Sequence, residues 1–159
     1  MNRSKGSFMK PNLFICAIIE TLAFAVIAFF AFKTFNSEYL FGWIADNWVF
    51  YLGLIGVSLL LLPFNKKFVS GFMVAGIVIG VFIGNYIGNM IVAFNQGKIV
   101  EEMNAEDIYR LQHHPGFEIW IGTIFLLVLI GIIVQIASQH KPLWYIKSNL
   151  TKIKRQSGK

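Results

Sequence analysis

Cysteine occurs once in this chain, as Cys16 inside an apolar run. A lone thiol excludes an intramolecular disulfide and a cysteine-rich metal site, and it leaves the redox compartment open. Charge is also scarce. Only 14% of residues are charged and 56% are apolar, whereas a soluble domain carries about a quarter charged residues. Mean hydropathy is +0.62. Sixteen phenylalanines add to the apolar surface, which lipid can cover and water cannot. Arginine is rare beside lysine, a compositional sign of a bacterial, AT-rich coding sequence.

Catalytic groups are scarce too. Glu20 is the only acid inside an apolar run away from its ends, and no histidine falls in any run. Cys16 lies four residues from Glu20 on the same helix face, but a thiol beside a carboxylate lacks the base-plus-orienter arrangement of an activated nucleophile. The glycine-rich stretch has no following lysine and lies deep in an apolar run, so it is not a phosphate loop. No cofactor is implied.

What is present is four apolar runs, at about 12–35, 47–64, 68–94 and 117–138. A spanning helix needs roughly 20 predominantly apolar residues; three runs meet that and the second nearly does. In lipid each run must satisfy its own backbone, which predicts helices despite the β-branched and aromatic content. The first run is too long for a signal peptide and no small-residue cleavage site follows it.

Charge is sorted by side. The N-terminal segment, the 65–67 turn and the tail hold eleven of the fourteen basic residues and no acid, while seven of the eight acids fall on the other side, six in the intervening loops and Glu118 at the start of the fourth run. The positive-inside rule then puts both termini in the cytoplasm of a plasma-membrane protein. The formal charge of +6 therefore suits anionic lipid at the basic tail, and no nucleic acid is expected. The predicted fold is an all-α integral membrane protein, a four-helix transmembrane domain over 1–138 followed by a basic interfacial tail over 139–159. Short amphipathic helices are expected over 98–114, capped by Asn104, and over 143–154. Trp43, Trp48, Trp144, Tyr145 and Lys147 are expected at the lipid interface.

Gly76, Gly80, Gly84 and Gly88 recur every fourth residue and so lie along one helix face. Small residues let helices approach closely in lipid, where little hydrophobic force acts between them. This glycine-zipper-like stripe is a packing surface, either for a neighbour in the same bundle, for a second copy, or for another membrane protein. Asn85 and Asn89 flank the stripe and call for hydrogen-bond partners, with Thr123 at similar depth. Glu20 lies about 12 Å from the inner end of its helix. As an ionisable group in a span it is a functional candidate by default, with a backbone carbonyl or Gln135 as its expected partner. His113 and His114, with Glu118, are weak metal candidates in the outer loop, because Pro115 is expected to separate them from Glu118.

Three function classes follow. The first is a non-catalytic membrane protein acting through helix–helix association, as an accessory, regulatory or protective subunit. The second is an oligomeric channel or proton-coupled small-solute transporter using Glu20 and the Asn85/Asn89 face. The third is a membrane enzyme or metal-dependent protein using the outer loop.

Overall fold

A computed structural model describes residues 11–139, and every regular element in them is helical. The expected tail helix, with Trp144, Tyr145 and Lys147, lies outside the described residues. The elements are α1 (Pro11–Phe29), α2 (Tyr39–Asp46), α3 (Trp48–Leu61), α4 (Lys67–Gln96), α5 (Ala105–Gln112) and α6 (Gly116–Gln139). Helix α1 ends in one wider turn over Phe30–Thr34, where the Phe35 N–H donates back to the Phe30 carbonyl at 2.8 Å. Three helices are long and apolar enough to cross a membrane. A fourth crossing exists if α2 and α3 count as one span bent by 87°.

Residues 36–46, which lie between the first two apolar runs, are not a plain loop. They form α2, which buries Leu40, Phe41 and Ile44. Its N-terminus is fixed by the Asn85 side chain of α4, whose Oδ1 accepts from the Leu40 N–H at 3.2 Å. A run of eight residues is too short to read as a helix by apolar length alone, and its anchor lies 45 residues away. Trp43, expected at the lipid interface, is half-buried instead, with its ring 4.7 Å from that of Phe117 and 5.9 Å from that of Trp120. Trp48 is exposed.

The helix expected over 98–114 is shorter than that. Asn104 caps it, its Oδ1 accepting from the Asp107 N–H at 2.8 Å, so α5 starts there and residues upstream form turns. At its other end His113 turns to an extended conformation. Between α3 and α4, Asn65 takes φ 60°, a left-handed conformation that asparagine tolerates better than most residues.

Helices α4 and α6 form the most extensive contact in the fold, and the glycines explain why. A Cβ at Gly76 would lie 3.0 Å from the Ile124 Cα, and one at Gly80 would lie 2.9 Å from Trp120 Cδ1. At Gly84 it would meet the Gly116 carbonyl oxygen at 2.5 Å. Helix α6 returns the favour with Gly131, where a Cβ would lie 3.0 Å from the Val69 Cα. Trp120 is fully buried in this seam, and its indole N–H donates to the Ile77 carbonyl at 3.0 Å. On the other side, the Tyr51 hydroxyl of α3 donates to the Phe24 carbonyl of α1 at 3.0 Å.

Adding a methyl group in this seam should cost about 1–3 kcal/mol per site through overpacking. Gly53 and Gly122 have no neighbour within 4 Å of a Cβ. Thermal unfolding in detergent should therefore show Gly80→Ala and Gly84→Ala destabilised, with Gly53→Ala and Gly122→Ala unchanged or stabilised. Equal melting temperatures across all four would contradict the packing described.

Candidate functional site

Two clusters of polar side chains lie at opposite ends of α4. Near its start, Ser70 Oγ sits 2.7 and 2.8 Å from the two carboxyl oxygens of Glu20, and 2.8 Å from the Ser58 carbonyl oxygen. Glu20, Ser58 and Ser70 are all buried. Glu20 thus meets Ser70, not the expected Gln135. The Gln135 side chain is committed elsewhere, its Oε1 accepting from the Phe68 N–H at 3.2 Å.

The proton count in this cluster is informative. One hydroxyl proton cannot serve three acceptors. Ser58 lies in the last turn of α3, where carbonyls lack a following helical donor, and the nearby Leu62 N–H goes to Leu59. The Ser70 hydroxyl is therefore needed by Ser58. A proton on one Glu20 oxygen, donated to Ser70 Oγ, would supply a second hydrogen bond at the same hydroxyl.

At the far end of α4, Asn85 and Asn89 converge on Glu38, the residue before α2. Asn85 Nδ2 donates to Glu38 Oε2 at 2.7 Å and Asn89 Nδ2 donates to the same oxygen at 3.2 Å. This corrects the expected pairing with Thr123, whose hydroxyl donates to its own helix at the Ile119 carbonyl, 2.8 Å away. An i−4 backbone bond is the cheaper option for a threonine in a helix.

His114 extends the chain. The Gly116 N–H donates to its Nδ1 at 3.1 Å, so Nδ1 carries no proton and the neutral ring holds its proton on Nε2. That Nε2–H donates to Asn89 Oδ1 at 3.0 Å. The ring stacks on Tyr39 with centroids 3.9 Å apart. Gly88 and Gly116 make room for it: a Cβ at either would run into the imidazole. Gly88 thus serves this histidine, whereas Gly76, Gly80 and Gly84 serve the α4/α6 seam.

His113 takes a separate path, its Nε2 lying 2.9 Å from Glu118 Oε1. The turn at Pro115 brings this pair together, contrary to the expected separation. Among the described residues no three histidine, cysteine, aspartate or glutamate side chains converge as a metal site.

The amide hydrogen bonds from Asn85, then Asn89, hold the Glu38 carboxyl below its usual range, with a smaller contribution from His114. Burial pulls the His114 imidazole below its ordinary 6.5, against weaker opposing effects that include Glu118 and Glu38. Sequence reasoning placed Ser58 at the depth of Glu20 but missed Glu38, Tyr39 and Ser70 as members of these clusters. Each partners a residue at least twelve positions away or across a bend, and no local spacing signals that.

No protein-family model, curated protein or solved structure matches the chain.

The neutral His114 makes stability pH-dependent. The folded state disfavours a proton that the unfolded chain takes up at the ordinary pKa, so this stability is complete above about pH 6.5 and is lost as pH falls through the lowered folded value. Glu38 acts in the same direction at lower pH. The titratable groups around the ring are Tyr39, Glu38, His113 and Glu118. Melting curves against pH should show the wild type losing stability on acidification from neutrality, with most of that slope absent in His114→Gln. Parallel curves for the two proteins would refute the assignment.

Proposed function

We propose that this is a four-span integral membrane protein with both termini in the cytoplasm, acting without catalysis through association with another membrane helix. In that role it is an accessory, regulatory or protective subunit, or one copy of a homo-oligomer, within a plasma membrane. The observation that carries this reading is how unevenly the spans are covered. The α4 span is 56% buried, whereas that of α1 is 17% buried. Helix α6 already occupies the glycine face of α4, so that face has no room for a partner.

A shallow groove of about 520 Å³ remains between α1 and α3, walled by Phe14, Ile18, Leu22, Leu59 and Pro63. Its floor includes Ala17 and Thr21, one helical turn apart, the small-residue spacing that lets a second helix approach closely. The Thr21 hydroxyl donates to the Ala17 carbonyl at 2.8 Å, so the floor presents no unmet polar group to a helix lying on it.

The permeation reading has less support within one copy. From Ser70 to Asn85 along α4 is about 22 Å at 1.5 Å per residue. Buried Met73, Val74, Ile77 and Val81 fill that interval, so the two polar clusters do not join into a path. The outer-loop enzyme reading has less again, since His113 and His114 bond to different partners.

The test is particle mass in mild detergent after extraction from the native membrane. The wild type should exceed a monomer, and Ala17→Leu with Thr21→Leu should reduce it to monomer mass while melting at the wild-type temperature. A monomeric wild type, or a double variant of unchanged mass, would overturn the proposal.

A further inference from the structure

The Glu38 cluster has one oxygen to spare. Both amide donors bond Oε2, and Oε1 has no hydrogen-bond partner among the described residues. Nor does any lysine or arginine among them form an ion pair with Glu38; the pairs present join Arg110 to Glu106 and His113 to Glu118. His114 offers no counter-charge in its neutral form, and its single N–H is spent on Asn89. Among the described residues a carboxylate is thus fixed by two amides and left without a cation.

That carboxylate opens onto a surface groove of about 390 Å³, within the range of small-molecule sites. Four aromatic residues, Phe35, Phe41, Phe82 and Tyr86, line the rest. Phe41 and Phe82 meet edge to face at 5.3 Å, and Phe35 lies 5.3 Å from Phe41. Phe35, Phe41 and Phe82 are therefore held by packing against one another, while Tyr86 is exposed at the rim.

The chemistry narrows the occupant. An anion would be repelled by Glu38. A divalent metal needs several hard oxygen ligands, and one carboxylate among phenyl rings does not supply them. A small hydrated cation would gain little from aromatic walls. An organic ammonium gains from both, because aromatic faces attract a cation that sheds its water easily and the free carboxylate oxygen supplies the opposite charge. The geometry points to a binding site for an alkylammonium group, with Glu38 as its charge partner and Phe41, Phe82 and Tyr86 as its aromatic wall. The ammonium belongs either to a lipid headgroup or to a soluble organic cation.

The probe is benzyltrimethylammonium, titrated calorimetrically into the full-length protein in a neutral detergent. Glu38→Gln keeps a carbonyl to accept both asparagine amides and replaces the charged oxygen with a neutral amide, so it should keep the fold. Phe82→Leu lies outside the hydrogen-bonded network and thins the wall. Saturable binding is expected for the wild type, weakened about tenfold in Glu38→Gln, an amount equal to roughly 1.4 kcal/mol, and measurably weakened in Phe82→Leu. Should Glu38→Gln melt lower, Phe82→Leu carries the comparison. No saturable binding, or affinity unchanged in both variants, overturns the site. Nanodiscs separate the two sources. Weaker probe binding in phosphatidylethanolamine discs than in discs of an uncharged glycolipid identifies the lipid headgroup as occupant; equal binding in both identifies a soluble cation.

Discussion

Helix α6 lies so close to α4 that no side chain fits between them at three successive turns. At Gly76, Gly80 and Gly84 even a methyl group would sit 2.5–3.0 Å from a neighbouring atom. The rest of the structure depends on that approach. It lets Trp120 reach the Ile77 carbonyl, and it brings Gly116 against Gly84. The segment before α6 then folds back over α4, and His114 drops into the space that Gly88 leaves open. In a fold whose exposed surface is mostly apolar, burial alone does not choose between helix pairings; close backbone contact does.

The two polar clusters work differently. Each lies where a second helix must be tied to α4. Glu20, Ser70 and Ser58 join α1, α4 and α3 near the start of α4. Glu38, Asn85, Asn89 and His114 join α2, α4 and the turn before α6 near its end. A buried polar group without a partner costs about 1–3 kcal/mol, so such groups specify which neighbours are acceptable. The described residues leave no buried side-chain nitrogen or oxygen unpartnered. The clusters thus set register, while the glycine seam sets distance.

Much of this was legible in the sequence. Four apolar runs gave four helical segments, because length and hydropathy are local properties. The glycine stripe marked a close contact through its four-residue spacing. The identity of the partner was not legible, since the stripe reads the same whether α6 or another chain fills it. Asn85 and Glu20 announced that they needed partners, and in both cases the expected one was wrong. Thr123 and Gln135 sat at plausible depths, but each had a nearer backbone group to bond. Helix α2 was hidden for a related reason: what stabilises eight residues there is a side chain 45 positions away.

The central claim is that the glycine face of α4 is covered by α6 of the same chain. A disulfide tests it most directly. A Cβ at Gly80 would lie 3.2 Å from that of Thr123, a few tenths short of the usual separation in a disulfide, about 3.5–4.5 Å. With Cys16 replaced by alanine, and with Gly80→Cys and Thr123→Cys, mild oxidation in the membrane should link the two helices within one chain. The product should run at monomer mass on a denaturing gel and lose its free thiols. A cross-linked dimer, or thiols that stay free under the oxidant, would contradict the account.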